Sequence, residues 1–312
     1  MKIVVLGAGA VGSVIGGLLK RSGEDVYLIR TNREWTETIN LKGLTISEDG
    51  KADINVLVPA ATDPAVVGGA DLVVVMTKTP NTRDALKNAS RIIGPSTLVL
   101  TLQNGLGNAE KIAEFVDPAN IIIGTTTISA MAKAPGHVEN MRHMAGTMNY
   151  IRKWQRSNSE DVQRVASTFT AAGMGTEILE DLDQLLWKKL LMHTGIAALA
   201  GITRLNLADL LAVSDAQELI RALIAETMAV ANAKGVALDL QEELEHAQQV
   251  FLSTGPHINS MCYDMTHGRK TEIDSSNLAV AAEAERMGLA APYNKAIGLL
   301  VRVIEQTYDK RL

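Results

Sequence analysis

The sequence has almost no cysteine: one, Cys262, among 312 residues. No disulfide can form within such a chain. A lone cysteine of this kind reads as a small buried hydrophobe rather than a nucleophile. There is no excess of positive charge either. Thirty Lys and Arg face thirty-five Asp and Glu, for a net charge of −5, which argues against a nucleic acid partner, since phosphate binding needs a basic face. No stretch reaches the roughly 20 uninterrupted apolar residues of a membrane span, so no membrane partner is expected. The N-terminus starts basic and turns apolar, as a signal peptide does. However, glycine recurs at 7, 9, 12, 16 and 17, Lys20 and Arg21 follow, and no small-residue cleavage site appears. A cytoplasmic protein is expected by default. No group of ligands has zinc spacing: His137 and His143 stand six apart in a loop-like stretch, and no metal is indicated. Repeats, low-complexity tracts and Gly/Ser linkers are absent as well.

What is present is an ordinary globular composition, 46% hydrophobic and 21% charged. The length implies two domains. The first half alternates strand-like and helix-like segments. Lys2 to Leu6, Asp25 to Ile29, Leu72 to Met76, Thr97 to Leu102 and Ile121 to Thr127 read as strands, and Thr82 to Ile93 as one of the helices between them. Beyond about residue 155 the pattern changes. Ser159 to Ala172 reads as a helix and Glu177 to Leu179 as a last strand. From Asp181 onward the periodicity is helical, punctuated by Pro256 and Pro292. The predicted fold is α/β: an N-terminal Rossmann-type doubly wound sheet over residues 1–180, then an all-helical domain over 181–312.

Gly7-Ala8-Gly9-Ala10-Val11-Gly12 matches G-x-G-x-x-G, directly after an apolar strand and at the start of a helix. In that setting Gly7 permits a tight turn, Gly9 lets a pyrophosphate approach the backbone, and Gly12 lets helix and strand pack closely. The helix N-terminus then offers its N–H groups to the phosphates. An NAD site usually places an acid at the end of the second strand, for the ribose 2′-hydroxyl. Here that strand ends Tyr27-Leu28-Ile29-Arg30, followed by Thr31-Asn32-Arg33. With no acid at that point, a guanidinium is available for a 2′-phosphate, and the expected cofactor is NADP. The plain alternative is that Arg30 and Arg33 are solvated loop charges.

Several motifs together make the chain resemble the ketopantoate reductase (2-dehydropantoate 2-reductase) family. They are the GAGAVG loop, Arg30, the KGLTI run at Lys42 to Ile46, Lys78 after the LVVVM strand, and Gln103-Asn104-Gly105-Leu106-Gly107. Pro135-Gly136, Leu186-Trp187-Lys188-Lys189-Leu190, and Gly268-Arg269-Lys270-Thr271-Glu272-Ile273-Asp274 with Asn277 complete the set. The resemblance implies a Rossmann domain joined to a helical one. It also implies NADPH-dependent reduction of a 2-oxo acid, as in pantothenate biosynthesis. Lys189 matches the family's catalytic lysine, which fits the need for a proton donor at the carbonyl oxygen; on periodicity alone it could be a surface lysine beside Lys188. Glu272 matches the acid that contacts the lysine or the substrate hydroxyl, while a helix-start acid is the alternative. Asn104 matches a residue near nicotinamide and substrate, although an asparagine before glycine is also plain turn chemistry. Lys78 is placed near the adenosine phosphate or ribose, or is a solvated loop lysine. Ser260 matches a residue that bonds the substrate carboxylate, or is a helix N-cap.

The chain departs from the family in the substrate pocket. Four and eight residues after Lys189, where the family carries asparagines on the same helix face, stand His193 and Ala197. Before Ser260, where an asparagine is usual, stands His257. His193 is read as a replacement substrate contact or as a satisfied helix histidine. Three functions remain open: a ketopantoate-type reductase, a sibling reductase with another carbonyl substrate, and a catalytically silent NADPH-binding sensor. The alanine-rich helical half is read as a face for a homodimer or, equally, as a tightly packed core.

Overall fold

A computed structural model of the chain describes residues 1–141, 146–155, 159–253 and 258–310. The chain forms two compact units. One comprises Met1–Gln103 and Asn108–Leu182, the other Asn104–Gly107 and Asp183–Leu312.

In chain order the first unit holds β1 (Lys2–Leu6), α1 (Ala10–Arg21), β2 (Asp25–Ile29), α2 (Arg33–Lys42), β3 (Leu44–Glu48), β4 (Ile54–Val56) and β5 (Ala60–Ala61). It continues with β6 (Leu72–Val75), α3 (Thr82–Asn88), β7 (Leu98–Thr101), α4 (Asn108–Ala113), β8 (Ile121–Thr126), β9 (Ala130–Ala134), β10 (His137–Asn140), β11 (Thr147–Lys153), α5 (Glu160–Ala171) and β12 (Gly175–Ile178). The main sheet runs β12-β11-β8-β7-β6-β1-β2-β5. Strands β1, β2, β5, β6, β7 and β8 are parallel. The aliphatic runs of β1, β6 and β7 are buried on both faces, as central parallel strands must be. Strand order reverses direction at β1, between β2 and β6, the kind of switch point at which open α/β sheets bind ligands.

Two features lay beyond the sequence reading. A second, four-stranded sheet of order β4-β3-β10-β9 covers part of α1. Its His137 begins β10 and bonds Ser47 at 3.0 Å, so His137 belongs to a strand rather than to a loop. In the main sheet, β11 runs antiparallel to β8. Its buried Arg152 and Lys153 disguised it. Arg152 Nη1 donates to the carbonyls of Lys153 and Trp154, and Lys153 Nζ donates to the Ala119 carbonyl at 2.8 Å.

The second unit holds α6 (Asp183–Thr203), α7 (Leu207–Leu211), α8 (Ser214–Ala233), α9 (Leu240–Ser253), α10 (Ser260–Thr266), α11 (Asn277–Arg286) and α12 (Pro292–Glu305). Helix α6 is its spine. By length and composition α6 could cross a membrane, but 61% of its apolar stretch is buried in the protein, as in a core helix. Gly195 and Gly201 sit in its interior, where glycine costs about 1 kcal/mol relative to alanine. Close packing retains them: a Cβ at 195 would lie 2.8 Å from Ile224, and one at 201 would collide with Met265. A buried polar network ties four helices together. Asn277 Nδ2 donates to the Thr194 carbonyl at 2.9 Å and to Asn294 Oδ1 at 3.0 Å. Asn294 in turn donates to Leu223 O and Glu226 Oε2. The Glu226 carboxylate also accepts from the backbone N–H of Tyr293 and Asn294, capping α12 where a negative charge is favoured. Pro292 occupies the first turn of that helix, and Pro256 lies outside the described residues.

Candidate active site

The glycine loop closes tightly on the end of β2. The N–H groups of Gly7 and Ala8 both donate to Ile29 O, at 3.0 and 2.9 Å. Each glycine is required differently. Gly7 has φ +90°, and a Cβ there would meet Thr77 N at 2.5 Å. A Cβ on Gly12 would press within 3.2 Å of Val5 and Met76, on the strands beneath α1. At Gly9 a Cβ would meet only Gly7 O, at 3.9 Å. Packing therefore explains Gly7 and Gly12, whereas Gly9 borders open space. The first turn of α1, with Ala10, Val11 and Gly12, carries no acidic side chain, so its positive dipole end favours an anion. These residues fit a dinucleotide pyrophosphate.

Arg30 follows β2 directly. Its Nη1 donates to Ala8 O at 2.8 Å, and its guanidinium stacks 3.9 Å from the centre of the Trp35 ring. The loop and the indole thus hold a partly exposed cation beside the glycine turn. Arg33 is different: its side chain is 85% exposed and pairs only loosely with Glu37, so it is a solvated charge. Lys78 is partly exposed just after β6. Next to it, Gln103 Nε2 donates to Thr77 O at 2.6 Å and Thr82 Oγ1 at 2.9 Å, fixing the ends of β6 and β7 to one another.

In the second unit, Lys189 and His193 lie on α6, and Glu272 lies on a turn that docks against the same helix. Lys189 lies partly exposed on α6, with His193 one turn later on the same face. Adjacent Lys188 points elsewhere and pairs at 2.7 Å with the buried carboxylate of Glu243. Glu272 belongs to a turn whose backbone O accepts from the N–H groups of Ser275 and Ser276. That turn docks on α6 through Ile273, packed with Ala197 and Ala198, and through Asn277 bonded to Thr194 O. It lies ahead of α11, whose N-cap is Ser276, so Glu272 is not a helix-start acid. The Asn104–Gly107 loop bonds the same turn, Leu106 N donating to Ser275 O at 2.8 Å. Gly105, at φ +86°, has no room for a Cβ against Ser275.

His193 is the electrostatic feature of this cluster. The residue is partly exposed, yet its Nε2 is sealed from solvent and has no hydrogen-bond partner. Burial, and secondarily the Lys189 ammonium, push its pKa down to about 4. The imidazole is therefore neutral near pH 7.

Two family models match this chain: Ketopantoate reductase PanE/ApbA over residues 3–153, and its C-terminal counterpart over 181–305. A 2-dehydropantoate 2-reductase of Pyrococcus horikoshii is 36% identical, over 98% of either chain. The chain belongs to the ketopantoate reductase family. It is thus an oxidoreductase of a family that acts on CH–OH groups. Among solved structures, a PanE/ApbA family ketopantoate reductase from Ralstonia eutropha superimposes with a TM-score of 0.89 at 30% identity, covering 99% of this chain and all of that one. A D-mandelate dehydrogenase, solved with NADH and anilino(oxo)acetate, superimposes with a TM-score of 0.90 at 28% identity, with the same coverage.

The remaining residues matched to the ketopantoate reductase family lie on α10 and further along α6. Ser260 is the exposed first residue of α10; the N-cap is Asn259, whose Oδ1 accepts from Cys262 N. Helix α10 meets α6 around Ala197, Ala198 and Gly201, about two to three turns beyond Lys189. Ala197 itself is 2% exposed in a core cluster with Met261 and Ile273. Packing accounts for its methyl group. His257 and His143 lie outside the described residues. Cys262 is buried, and burial raises its thiol pKa. Trp35 and Glu243 escaped the sequence reading. Trp35 was detectable, since a tryptophan five residues after Arg30 can reach back over it. Glu243 carried no signal, because its partner Lys188 lies 55 positions earlier in the chain.

Proposed function

We propose that this chain is a cytoplasmic, NADPH-dependent reductase that converts a 2-oxo acid to a 2-hydroxy acid, and that it prefers an apolar tail to the hydroxylated tail of 2-dehydropantoate. The reaction type rests chiefly on Lys189, a partly buried lysine on the core helix against which the turn carrying Glu272 docks. The glycine loop would hold the pyrophosphate and Arg30 the 2′-phosphate, with Lys78 as a further cation. When bound, the cofactor would supply the hydride for the carbonyl carbon. Lys189 donates a proton to the carbonyl oxygen as charge builds there, and is reprotonated from solvent. Glu272 keeps the lysine charged, and Asn104 orients the nicotinamide and the substrate. Ser260 is the candidate partner of the substrate carboxylate.

Cofactor choice rests on Arg30 rather than on the fold, because the mandelate dehydrogenase was solved with NADH. NADPH should bind at least about tenfold more tightly than NADH, the scale of one charge-assisted contact. Arg30→Asp should abolish or reverse that preference; equal affinities for both cofactors in wild type, by fluorescence titration, would refute it. The tail preference rests on His193, a neutral imidazole where the family's pocket carries an asparagine, and on the likeness to a dehydrogenase of mandelate, whose tail is a phenyl ring. The test is NADPH oxidation across 2-dehydropantoate, 2-oxoisovalerate and phenylglyoxylate. A kcat/KM for 2-dehydropantoate above about 10⁵ M⁻¹s⁻¹, in the range of efficient enzymes, and above that for the other two acids, would make the chain an ordinary ketopantoate reductase. No turnover with any oxo acid would leave an NADPH-binding sensor.

A further inference from the structure

From Arg30 to Glu34 every side chain is wholly or partly exposed, and then Trp35 is buried, at 7% exposure. Its indole belongs to the core cluster that includes Ile39, Val58 and Ala60. One ring face nevertheless carries the Arg30 guanidinium, 3.9 Å from its centre. A leucine would serve the core as well; what an indole adds is a flat, electron-rich plate under a cation. Both members of the stack are held from behind. Asn32 caps α2 and accepts from Trp35 N at 3.0 Å. Further along the helix, the Asn40 amide donates to Ala60 O and accepts from Ala60 N, each at 2.8 Å, which fixes α2 to β5. On the other side, Arg30 N donates to Ala61 O at 3.0 Å and Arg30 Nη1 to Ala8 O at 2.8 Å. The arginine is therefore anchored at both its backbone and its head.

We propose that Trp35 is a positioning residue for cofactor choice: it holds the Arg30 guanidinium in one plane, so that the cation is ordered for a 2′-phosphate before the dinucleotide arrives. The proposal rests on the reading of Arg30 as the 2′-phosphate partner. A guanidinium has two kinds of surface. Its faces stack on rings, whereas its N–H groups donate in the plane. An indole on one face therefore does not compete with phosphate oxygens for the edge. An unsupported arginine loses the freedom of a long side chain when it grips an anion. Arg33 is such a residue, 85% exposed and loosely paired with Glu37. For Arg30 that freedom is already lost on folding, so it does not count against binding. The gain falls on one cofactor only. NADH offers a hydroxyl at that point and draws little from a fixed cation, so the stack acts on the difference between the two cofactors rather than on dinucleotide affinity as a whole.

The test is calorimetric titration of the full chain, without substrate, with NADPH and with NADH. Wild type should bind NADPH at least about tenfold more tightly. Trp35→Leu should lower that ratio about fivefold, equivalent to about 1 kcal/mol. The loss should come from weaker NADPH binding, with NADH affinity within about twofold of wild type. Trp35→Phe keeps a ring face and should retain most of the ratio. In an Arg30→Leu background, Trp35→Leu should leave the ratio unchanged, since the indole acts only through the guanidinium. Equal affinities for the two cofactors in wild type would overturn the reading of Arg30 and this proposal together. A wild type that discriminates, beside a Trp35→Leu variant that discriminates equally, would overturn the proposal alone. So would a loss of equal size in the Arg30→Leu background, which marks a packing defect. Arg30→Lys decides the matter if Trp35→Leu fails to fold. It leaves the indole in the core and keeps the charge but not the plane, so it should lose most of the ratio; a lysine variant that discriminates as wild type does would overturn the proposal.

Discussion

Acidification should weaken this protein through one imidazole. In the folded chain His193 titrates at about 4, against 6.5 when unperturbed. Between those values the unfolded chain takes up a proton that the folded chain refuses, so stability rises with pH across the window. Above pH 7 the group is neutral in both states and contributes no slope. A shift of this size corresponds to at most about 3 kcal/mol. Because the residue is partly exposed, about 2–3 kcal/mol is the realistic loss on going from pH 7 to pH 4. The clean measurement is a difference of differences: thermal or urea unfolding of wild type and His193→Asn, each at pH 7 and pH 4.5. Every carboxylate effect common to both proteins cancels, leaving the histidine. The variant should lose less stability than wild type by up to about 2 kcal/mol, or roughly 5 °C in Tm. Equal losses in the two proteins would refute the reasoning. Lys189→Met should raise the His193 pKa by removing the lesser of its two causes.

Lys189→Ala should lower kcat by roughly 10²-fold or more, the usual scale for a lost general acid, with little change in NADPH affinity; wild-type turnover in the variant would dismiss the assignment. The glycine loop should separate folding from binding. Gly7→Ala should destabilise the protein by about 1–3 kcal/mol through a left-handed φ and a clash with Thr77. Gly9→Val should leave the melting temperature without cofactor nearly unchanged while weakening dinucleotide binding at least about tenfold. Ala197→Asn should destabilise by about 1–3 kcal/mol, since it places an amide in an aliphatic cluster; a melt that matches wild type would show that the site takes a polar group without loss.

The glycine loop was legible because strand, turn and helix are contiguous in the sequence, although the packing that fixes Gly7 and Gly12 comes from Thr77 and Met76, more than about 60 residues on. The runs Leu72–Val75, Leu98–Thr101 and Ile121–Thr126 were legible for a similar reason: buried parallel strands are apolar throughout. The second sheet was not. Its central pairing joins β3 to β10, some 90 residues on, and its exposed β9 is rich in alanine and lacks any strand signature. In the helical unit, helix periodicity was plain, but the meaning of individual positions was not. On periodicity alone Lys188 and Lys189 are indistinguishable; in the structure the buried Glu243 that pairs with Lys188 tells them apart. Position 197 reads in sequence as a pocket position that lacks the family's asparagine, and the structure adds that its methyl group packs in a cluster with Ile273 and Met261, which no local pattern reveals.

The buried chain of Thr194, Asn277, Asn294 and Glu226 also sets how this half of the molecule can vary. Its members come from α6, α11, α12 and α8, and each satisfies a group that another would leave stranded. Replacing either asparagine alone leaves an unmatched amide or carboxylate in the core, at about 1–3 kcal/mol or more. Replacing Asn277 and Asn294 together with apolar residues of equal shape need cost little, so long as Glu226 stays to cap α12. These positions can therefore drift only as a block. A library that randomises them one at a time will find only losses, while one that changes Asn277 and Asn294 together and keeps Glu226 can yield a folded sequence.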